Sequence, residues 1–492
     1  MNHGIVLGGY YSTTDYFMSR SPGSYRIATF CRSINWDVEV IDYVSHWDRG
    51  LLMALIVKII KEKDTKWIGI SYNWLTEFNE EIINFFSELR KQFPRLKLIV
   101  GGQSPYNVDL NAHWYVFGYG EEALQAILDF EFGTGPLPVS ETMFGGRFIN
   151  AVKDYKSISS KVFNIEYSER DFLNSSDVVS LELSRGCKFK CRYCNYPFIG
   201  LKDDTSTSEE ILYKELNENY QKWGIKQYMI ADDTYNDRME KLFKLRNVVK
   251  KLDFEPNFFS FIRADLLATT PDMIKVLTES RVWGHYYGIE TFNRKAGIAI
   301  GKGMDPNRIK DTILFTKDYM MSNINAYRGT IGLIAGLPYE DARSWEETET
   351  WTRAHWSDQA RIWWPLQIAK DKTNLSAFGK DLAAYGYREM SESRKLVFKH
   401  KTSTKDVVWE NDYTNVFEAT EWTSQYRESP QPIDSMSIPS WVSMFGIDYA
   451  LNKRSNQRIR FYEPEYKEAA DRHIKNYIMK KTIGLFSGVS IT

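Results

Sequence analysis

The stretch Val179-Ser180-Leu181-Glu182-Leu183-Ser184-Arg185-Gly186-Cys187-Lys188-Phe189-Lys190-Cys191-Arg192-Tyr193-Cys194 holds three of the four cysteines in 492 residues. Apolar residues alternate from Val179 to Leu183, which predicts a strand, and Ser184-Arg185-Gly186 predicts its exit. The cysteines therefore stand on a loop at a strand's carboxyl end. Active sites of β/α barrels gather at that end. Clustering of this kind is no disulfide framework, because a long chain with four cysteines has no use for one.

Two kinds of metal chemistry suit clustered thiols. A closed zinc site needs a fourth protein ligand at short spacing, and none is adjacent. The remaining cysteine, Cys31, follows an apolar helical stretch in a different predicted unit and reads as a buried small residue. Three thiolates suit a 4Fe-4S cluster whose fourth iron is left to a non-protein ligand. Lys188, Lys190 and Arg192 would offset the cluster's negative charge.

Downstream, apolar runs recur at Tyr228–Ala231, Phe258–Ile262, His285–Ile289, Thr330–Ala335 and Arg361–Leu366, separated by helical periodicity. With Val178–Leu183 they predict six parallel strands, a partial (β/α)6 TIM-type barrel over residues 177–370. Upstream, Ile5–Leu7 ends at Gly8-Gly9, Val38–Ile41 at Asp42, Trp67–Ile70 at Ser71 and Leu98–Val100 at Gly101-Gly102. Helical patterns lie between them, and Gly118-Tyr119-Gly120-Glu121-Glu122 opens another helix. Residues 1–135 thus read as a Rossmann-like doubly wound α/β domain, whose ligands sit beyond the strands' carboxyl ends. Residues 136–176 read as a connector and 371–492 as a mostly helical C-terminal cap. The fold class is α/β throughout the first two units.

Composition sets the outer bounds. With 63 Lys+Arg against 64 Asp+Glu, the net charge is −1, so no whole-chain field draws in nucleic acid or an anionic membrane. No apolar run is long enough to span a bilayer, and the start lacks the pattern of a signal peptide, so a cytoplasmic protein is expected. Aromatics make up 15% of the chain against 15 prolines, which predicts folded structure nearly throughout. Trp351, Trp356, Trp363 and Trp364 read mainly as core.

The CxxxCxxC spacing, with Tyr193 before the last cysteine, resembles the radical S-adenosylmethionine (SAM) superfamily. The resemblance continues through Ile230-Ala231-Asp232-Asp233-Thr234-Tyr235-Asn236, Arg263-Ala264-Asp265, Gly288-Ile289-Glu290-Thr291 and Gly332-Leu333-Ile334-Ala335-Gly336-Leu337-Pro338-Tyr339-Glu340, in that order. The first unit is similar to the cobalamin-binding domain that precedes the barrel in one large subgroup. Together these likenesses span about residues 1–370.

The resemblance implies reductive cleavage of SAM at a cluster held by Cys187, Cys191 and Cys194, giving a 5′-deoxyadenosyl radical. It implies that Asp232 and Asp233 accept from the methionyl amino group, that Arg263 meets its carboxylate and that Glu290 takes the ribose hydroxyls. Gly332, Ile334 and Gly336 would let backbone approach the adenine, with Tyr193 along its edge. Each has an ordinary alternative: Asp232-Asp233 as a helix cap, Arg263 paired to Asp265, the glycines as packing positions. For the first unit, Gly8, Gly9, Ser71, Gly101, Gly102, Gly118, Gly120 and Glu121 are the candidate cobalamin-facing loop residues.

One departure bears on the reaction. Many cobalamin-binding domains carry a DxHxxG loop whose histidine ligates cobalt, and no such string occurs here; residues 8–15 read Gly-Gly-Tyr-Tyr-Ser-Thr-Thr-Asp, and His46 reads as a surface residue. Cobalamin is left open. Methylation of an unactivated carbon leads by subgroup, ahead of rearrangement, cyclisation or epimerisation. Rival readings are an RNA- or protein-modifying radical SAM enzyme and an iron-sulfur electron-transfer or binding protein. Lys453, Arg454, Arg458 and Arg460 form the modest basic patch that nucleic acid would need. A flavodoxin- or ferredoxin-type electron donor is the expected partner, and the substrate is not legible.

Overall fold

The structure is a computed structural model that describes residues 2–9, 20–72, 80–103, 105, 109–155, 164–195, 205–324, 327–369, 376–395, 397, 406–428 and 464–487. Loop residues 10–15 and the basic residues 453–460 singled out above lie outside the described residues.

In the first unit, β1 (Asn2–Leu7), α1 (Pro22–Ser33), β2 (Trp36–Ile41), α2 (Arg49–Lys63), β3 (Thr65–Tyr72), α3 (Glu80–Gln92) and β4 (Lys97–Gly102) follow the expected alternation. Apolar runs buried on both faces make the strands parallel and central. Helix starts obey local chemistry: Pro22 opens α1, and the Asp48 side chain accepts from Leu51 N at 2.8 Å to open α2. The sheet continues through β5 (Trp114–Phe117), ahead of α4 (Glu121–Phe132), and through a hairpin of β6 (Glu141–Met143) and β7 (Gly146–Asn150). Its order is β2-β1-β3-β4-β5-β7-β6, with only β6 antiparallel. The stretch expected to connect the units therefore lends two strands to the first sheet.

The second sheet holds six parallel strands in the order β15-β14-β13-β12-β11-β8, which puts β8 (Val178–Leu181) at one edge. The others are β11 (Gln227–Ile230), β12 (Asn257–Ile262), β13 (Val282–Glu290), β14 (Arg328–Ala335) and β15 (Ala360–Pro365). All six expected strands are present. The short pair β9 (Ser184–Arg185) and β10 (Thr205–Ser206) brackets the cysteine loop. Parallel register divides the side chains into two faces. Tyr228, Phe258, Tyr287, Ile331 and Trp363 pack outward into the main core under the helices, while Met229, Phe261, Tyr286, Ile334 and Trp364 share the inner face. Trp356 and Trp363 are core as expected, whereas Trp364 on the inner face is 41% exposed.

The C-terminal region is two separate attachments. Residues 376–428 cover the barrel: β16 (Arg388–Glu389) pairs with β17 (Trp409–Glu410), and α12 (Val416–Glu428) packs on β14 and β15. The last helix, α13 (Pro464–Ser487), lies instead on the first unit, where Ile474 and Tyr477 join the core beside α2. A buried polar knot fixes it. Arg20 and Asp177, both fully buried, pair at 2.9 Å, and His473 of α13 approaches the same carboxylate at 3.0 Å. Arg20 also lies over the Tyr477 ring at 4.5 Å. The guanidinium holds the Asp177 carboxyl below the usual carboxylate range against the opposing effect of burial.

Candidate functional site

The cysteine loop begins where β8 stops. Gly186 takes a φ of 104°, a left-handed turn suited to glycine, and delivers Cys187 to the carboxyl end of the sheet. Beyond it, Cys194 N donates to Cys191 O at 3.1 Å, closing a tight turn. The loop is tied down from two sides: Arg192 N donates to Ile300 O at 3.0 Å, and Phe378 N of the C-terminal region donates to Arg192 O at 3.2 Å. All three cysteines are half-buried.

Among the described residues no set of three Cys, His, Asp or Glu side chains converges closely enough to ligate a single ion. Three thiols gathered on one loop suit one ligand per iron of a polynuclear cluster. Cys31 is fully buried in the first unit's core, where burial pushes its thiol well up, so it supplies no fourth ligand. Burial also raises Cys187, whose sulfur lies 3.7 Å from Thr234 Oγ1. Arg263 donates from Nη1 to Cys191 Sγ at 3.4 Å and stacks over Phe189 at 3.8 Å.

The remaining expected residues divide. Arg263 binds Asp265 through two donors, at 3.0 and 2.6 Å, so the pairing alternative is realised together with the contact to Cys191. Asp233 is exposed near Cys187, within range of its charge. Tyr193 donates its hydroxyl to Glu290. Lys302, which the sequence did not single out, donates to Glu290 Oε1 at 2.6 Å and to Gly288 O at 2.7 Å. Glu290 has a φ of 65° and sits where the register between β13 and β14 slips, so a bulge re-aims its carboxylate. Such strain persists in a non-glycine residue only when its surroundings hold it, and clusters at functional sites.

Three of the expected residues have structural partners of their own. Asp232 is buried with its oxygens engaged by Leu183 N at 2.9 Å, Ser184 N at 3.1 Å, Ser184 Oγ at 2.6 Å and Lys241 Nζ at 3.1 Å. It holds the strand exit in place. Gly332 makes room for the Tyr286 ring, into which any β-carbon would run. Gly336, at φ 101°, makes room for Trp409, and its carbonyl accepts from Tyr387 OH at 2.8 Å. Both positions need glycine for packing. Ile334 remains half-exposed on the inner face.

At the first sheet's carboxyl edge, Gly8 packs against Ser21 and Ser24, Gly9 against Tyr43, Gly102 against Tyr72 and Gly118 against Val152. Gly101 and Gly120 are half-exposed, and a β-carbon would meet nothing closer than 3.9 and 3.5 Å, respectively. Ser71 is half-exposed beside Gly23. Glu121 faces the other way: it is buried and paired with Arg185, which also binds Glu182 at 2.6 Å. This ion pair joins α4 to the residue two before Cys187, a long-range contact with no local signal. His46 is half-buried in a single helical turn after β2 rather than on the surface.

Comparison with known proteins agrees with this architecture. Residues 181–352 match the Radical SAM superfamily. An uncharacterized methyltransferase of Pyrococcus horikoshii is 24% identical over 165 residues, a match covering 34% of this chain and 34% of that protein, so about a third of the relative's length is spanned. The fold resembles that of the radical S-adenosylmethionine methyltransferase TsrM from Kitasatospora setae, solved with tryptophan substrate and a SAM analog. The TM-score is 0.63 at 11% identity, covering 97% of this chain and all (100%) of that one. It also resembles the cobalamin-dependent SAM radical enzyme OxsB, solved with aqua-cobalamin and SAM, with a TM-score of 0.55 at 13% identity, covering 99% of this chain and 72% of that one. Among the described residues, no helix is long and apolar enough to cross a membrane.

Proposed function

Since residues 181–352 of this chain are a radical SAM domain, we propose that the protein is a radical SAM enzyme that transfers a methyl group to an unactivated carbon, with cobalamin at its first unit. The observation that carries the reading is the loop of Cys187, Cys191 and Cys194 at the carboxyl end of a six-stranded parallel sheet, with the Arg263 guanidinium on one sulfur. When bound there, a 4Fe-4S cluster with one vacant iron supplies the electron that breaks a carbon-sulfur bond of SAM.

The chain's own groups have separable tasks. Cys187, Cys191 and Cys194 hold the metal, and Arg263 compensates their charge while Asp265 fixes its planar fork. Glu290, steadied by Tyr193 and Lys302, orients the ribose hydroxyls, and Asp233 accepts from the methionyl amino group. Met229, Phe261, Tyr286, Ile334 and Trp364 give the inner face an apolar, aromatic lining that excludes water around a reactive intermediate. At the first sheet's edge, Gly101 and Gly120 leave room for a flat ring system, and this fits a corrinoid held by shape without a histidine ligand. The whole-chain likeness in fold to cobalamin-dependent enzymes supports this part.

Anoxic reconstitution with iron and sulfide, then SAM and a strong reductant, tests the proposal. Release of 5′-deoxyadenosine supports SAM cleavage, and S-adenosylhomocysteine with added cobalamin supports methyl transfer. Redox cycling with neither product, across candidate substrates, would overturn it in favour of an electron-transfer protein.

A further inference from the structure

The turn that leaves β11 lies beside the cysteine loop and reaches two of its sulfurs. Thr234 Oγ1 is 3.7 Å from Cys187 Sγ. Asn236, fully buried, spends both ends of its amide on the Arg263 backbone: Oδ1 accepts from Arg263 N at 2.8 Å and Nδ2 donates to Arg263 O at 3.0 Å. Arg263 in turn donates to Cys191 Sγ. One turn therefore backs Cys187 directly and Cys191 through a guanidinium.

A buried ammonium holds this turn in place. Lys241, on the helix Met239–Val249, is 1% exposed and ringed by oxygens: Asp237 Oδ1 at 2.8 Å, Ser184 Oγ and Thr234 O at 2.9 Å each, and Asp232 Oδ2 at 3.1 Å. Ser184 precedes Cys187 by three residues, so the same cation ties the exit of β8 to the exit of β11. Buried ion pairs are weak sources of stability, since apolar groups of the same shape often do as well, yet they fix the groups that surround them. Here those groups carry a thiol.

We propose that Lys241 and Asn236 are positioning residues for the metal-binding thiols: Lys241 sets Cys187 through Ser184 and Thr234, and Asn236 sets Cys191 through Arg263. The inference rests on the cysteines being cluster ligands. Neither residue makes or breaks a bond or carries an electron. With three protein ligands to hold it, a cluster depends on each of them, and groups behind metal ligands typically change metal affinity by roughly 10–100-fold.

The first test needs no metal. In the metal-free full-length chain, alkylation of each cysteine by iodoacetamide is followed by mass spectrometry, and Cys31, fully buried in the first unit, reports whether the chain stays folded. Lys241→Met should speed alkylation of Cys187 about tenfold, and Asn236→Ala that of Cys191 by a similar factor, with Cys31 still protected. Lys241→Met/Asp237→Asn, which removes the ammonium together with one carboxylate charge, should act on Cys187 in the same way. Glu349→Gln is the control: it breaks a comparably buried pair, Glu349 with Arg361 at 2.6 Å, and should lower the melting temperature without moving either rate. After anoxic reconstitution at limiting iron, the Lys241 and Asn236 variants should hold about tenfold less iron and show an altered cluster spectrum, with Asn236→Asp, which keeps the acceptor, in between.

Parent-like alkylation rates and spectra in the folded variants would overturn the proposal. So would equal acceleration in Glu349→Gln, or exposure of Cys31 in both Lys241 variants and in Asn236→Ala, either of which would assign these residues to general stability. A parent that assembles no cluster would strike at the metal reading instead, and the alkylation pattern would still decide whether the turn holds the thiols.

Discussion

The two main sheets of this chain are built from parallel strands in different orders, doubly wound in the first and consecutive in the second, and they differ again at their carboxyl edges. The second ends in groups that make bonds: three thiols, the guanidinium of Arg263 and the carboxylate of Glu290, each steadied by neighbours. The first ends in turns packed against their own chain, with room left at Gly101 and Gly120 and with Glu121 turned into the interface between units. One edge is built to ligate and the other to accommodate. Both architectures open toward ligands at the carboxyl ends of their strands, and the side chains at the strand exits decide what each can hold.

That contrast is easiest to break at the cysteines. Cys191→Ala should lose bound iron and cut 5′-deoxyadenosine formation by at least ~100-fold, read by metal analysis and product assay. Cys31→Ala should keep both and cost stability only, about 1 kcal/mol from a small core void. Equal metal loss in the two variants would erase the distinction.

The glycines sharpen it next. Gly336→Ala should destabilise by about 1–3 kcal/mol, because its positive φ and the Trp409 ring leave no room for a methyl group. Gly101→Ala should leave the melting temperature near that of the parent and weaken corrinoid binding, followed by the visible spectrum. Glu290→Gln should then raise the dissociation constant for SAM about tenfold, through lost charge-assisted hydrogen bonds. Lys302→Met should act in the same direction by freeing the carboxylate.

Much of the second unit was legible because its strands are short apolar runs buried on both faces, each ending at a chemically distinctive turn. The cysteine loop was legible from spacing alone. The hairpin Glu141–Asn150 was not, since β6 is an exposed edge strand and Gly145-Gly146 reads as loop. Helix α13 gave no sign that it would dock on the first unit, because its anchors, His473 to Asp177 and Lys481 to Glu39, join residues hundreds of positions apart. Lys302 and Arg185 were missed because their partners, Glu290 and Glu121, meet them only through tertiary folding and no motif marks the pairs. Asp232, Gly332 and Gly336 illustrate the converse: their motifs were visible, but which side of each residue faces its own chain is a tertiary fact.

The smallest expected effect lies away from both edges. Glu215 is buried behind the barrel, accepts from Ile165 N at 3.2 Å, and burial pushes its carboxyl up to about 8. A raised folded value means its contribution is fully present below the unfolded carboxylate range and is lost as pH climbs through about 8. Glu215→Gln should therefore stabilise the protein above that pH by about 1 kcal/mol and lose the advantage toward pH ~5, measured by thermal melts across pH.

The central claim is that three thiols hold a cluster with one iron left for SAM. Iron, sulfide and zinc analysis of anoxically reconstituted protein, with a visible spectrum taken on adding SAM, addresses it most directly. The account predicts about four iron and four sulfide per chain, a charge-transfer band perturbed by SAM, and little zinc. Stoichiometric zinc without sulfide, or a complete cluster whose spectrum ignores SAM, would contradict it.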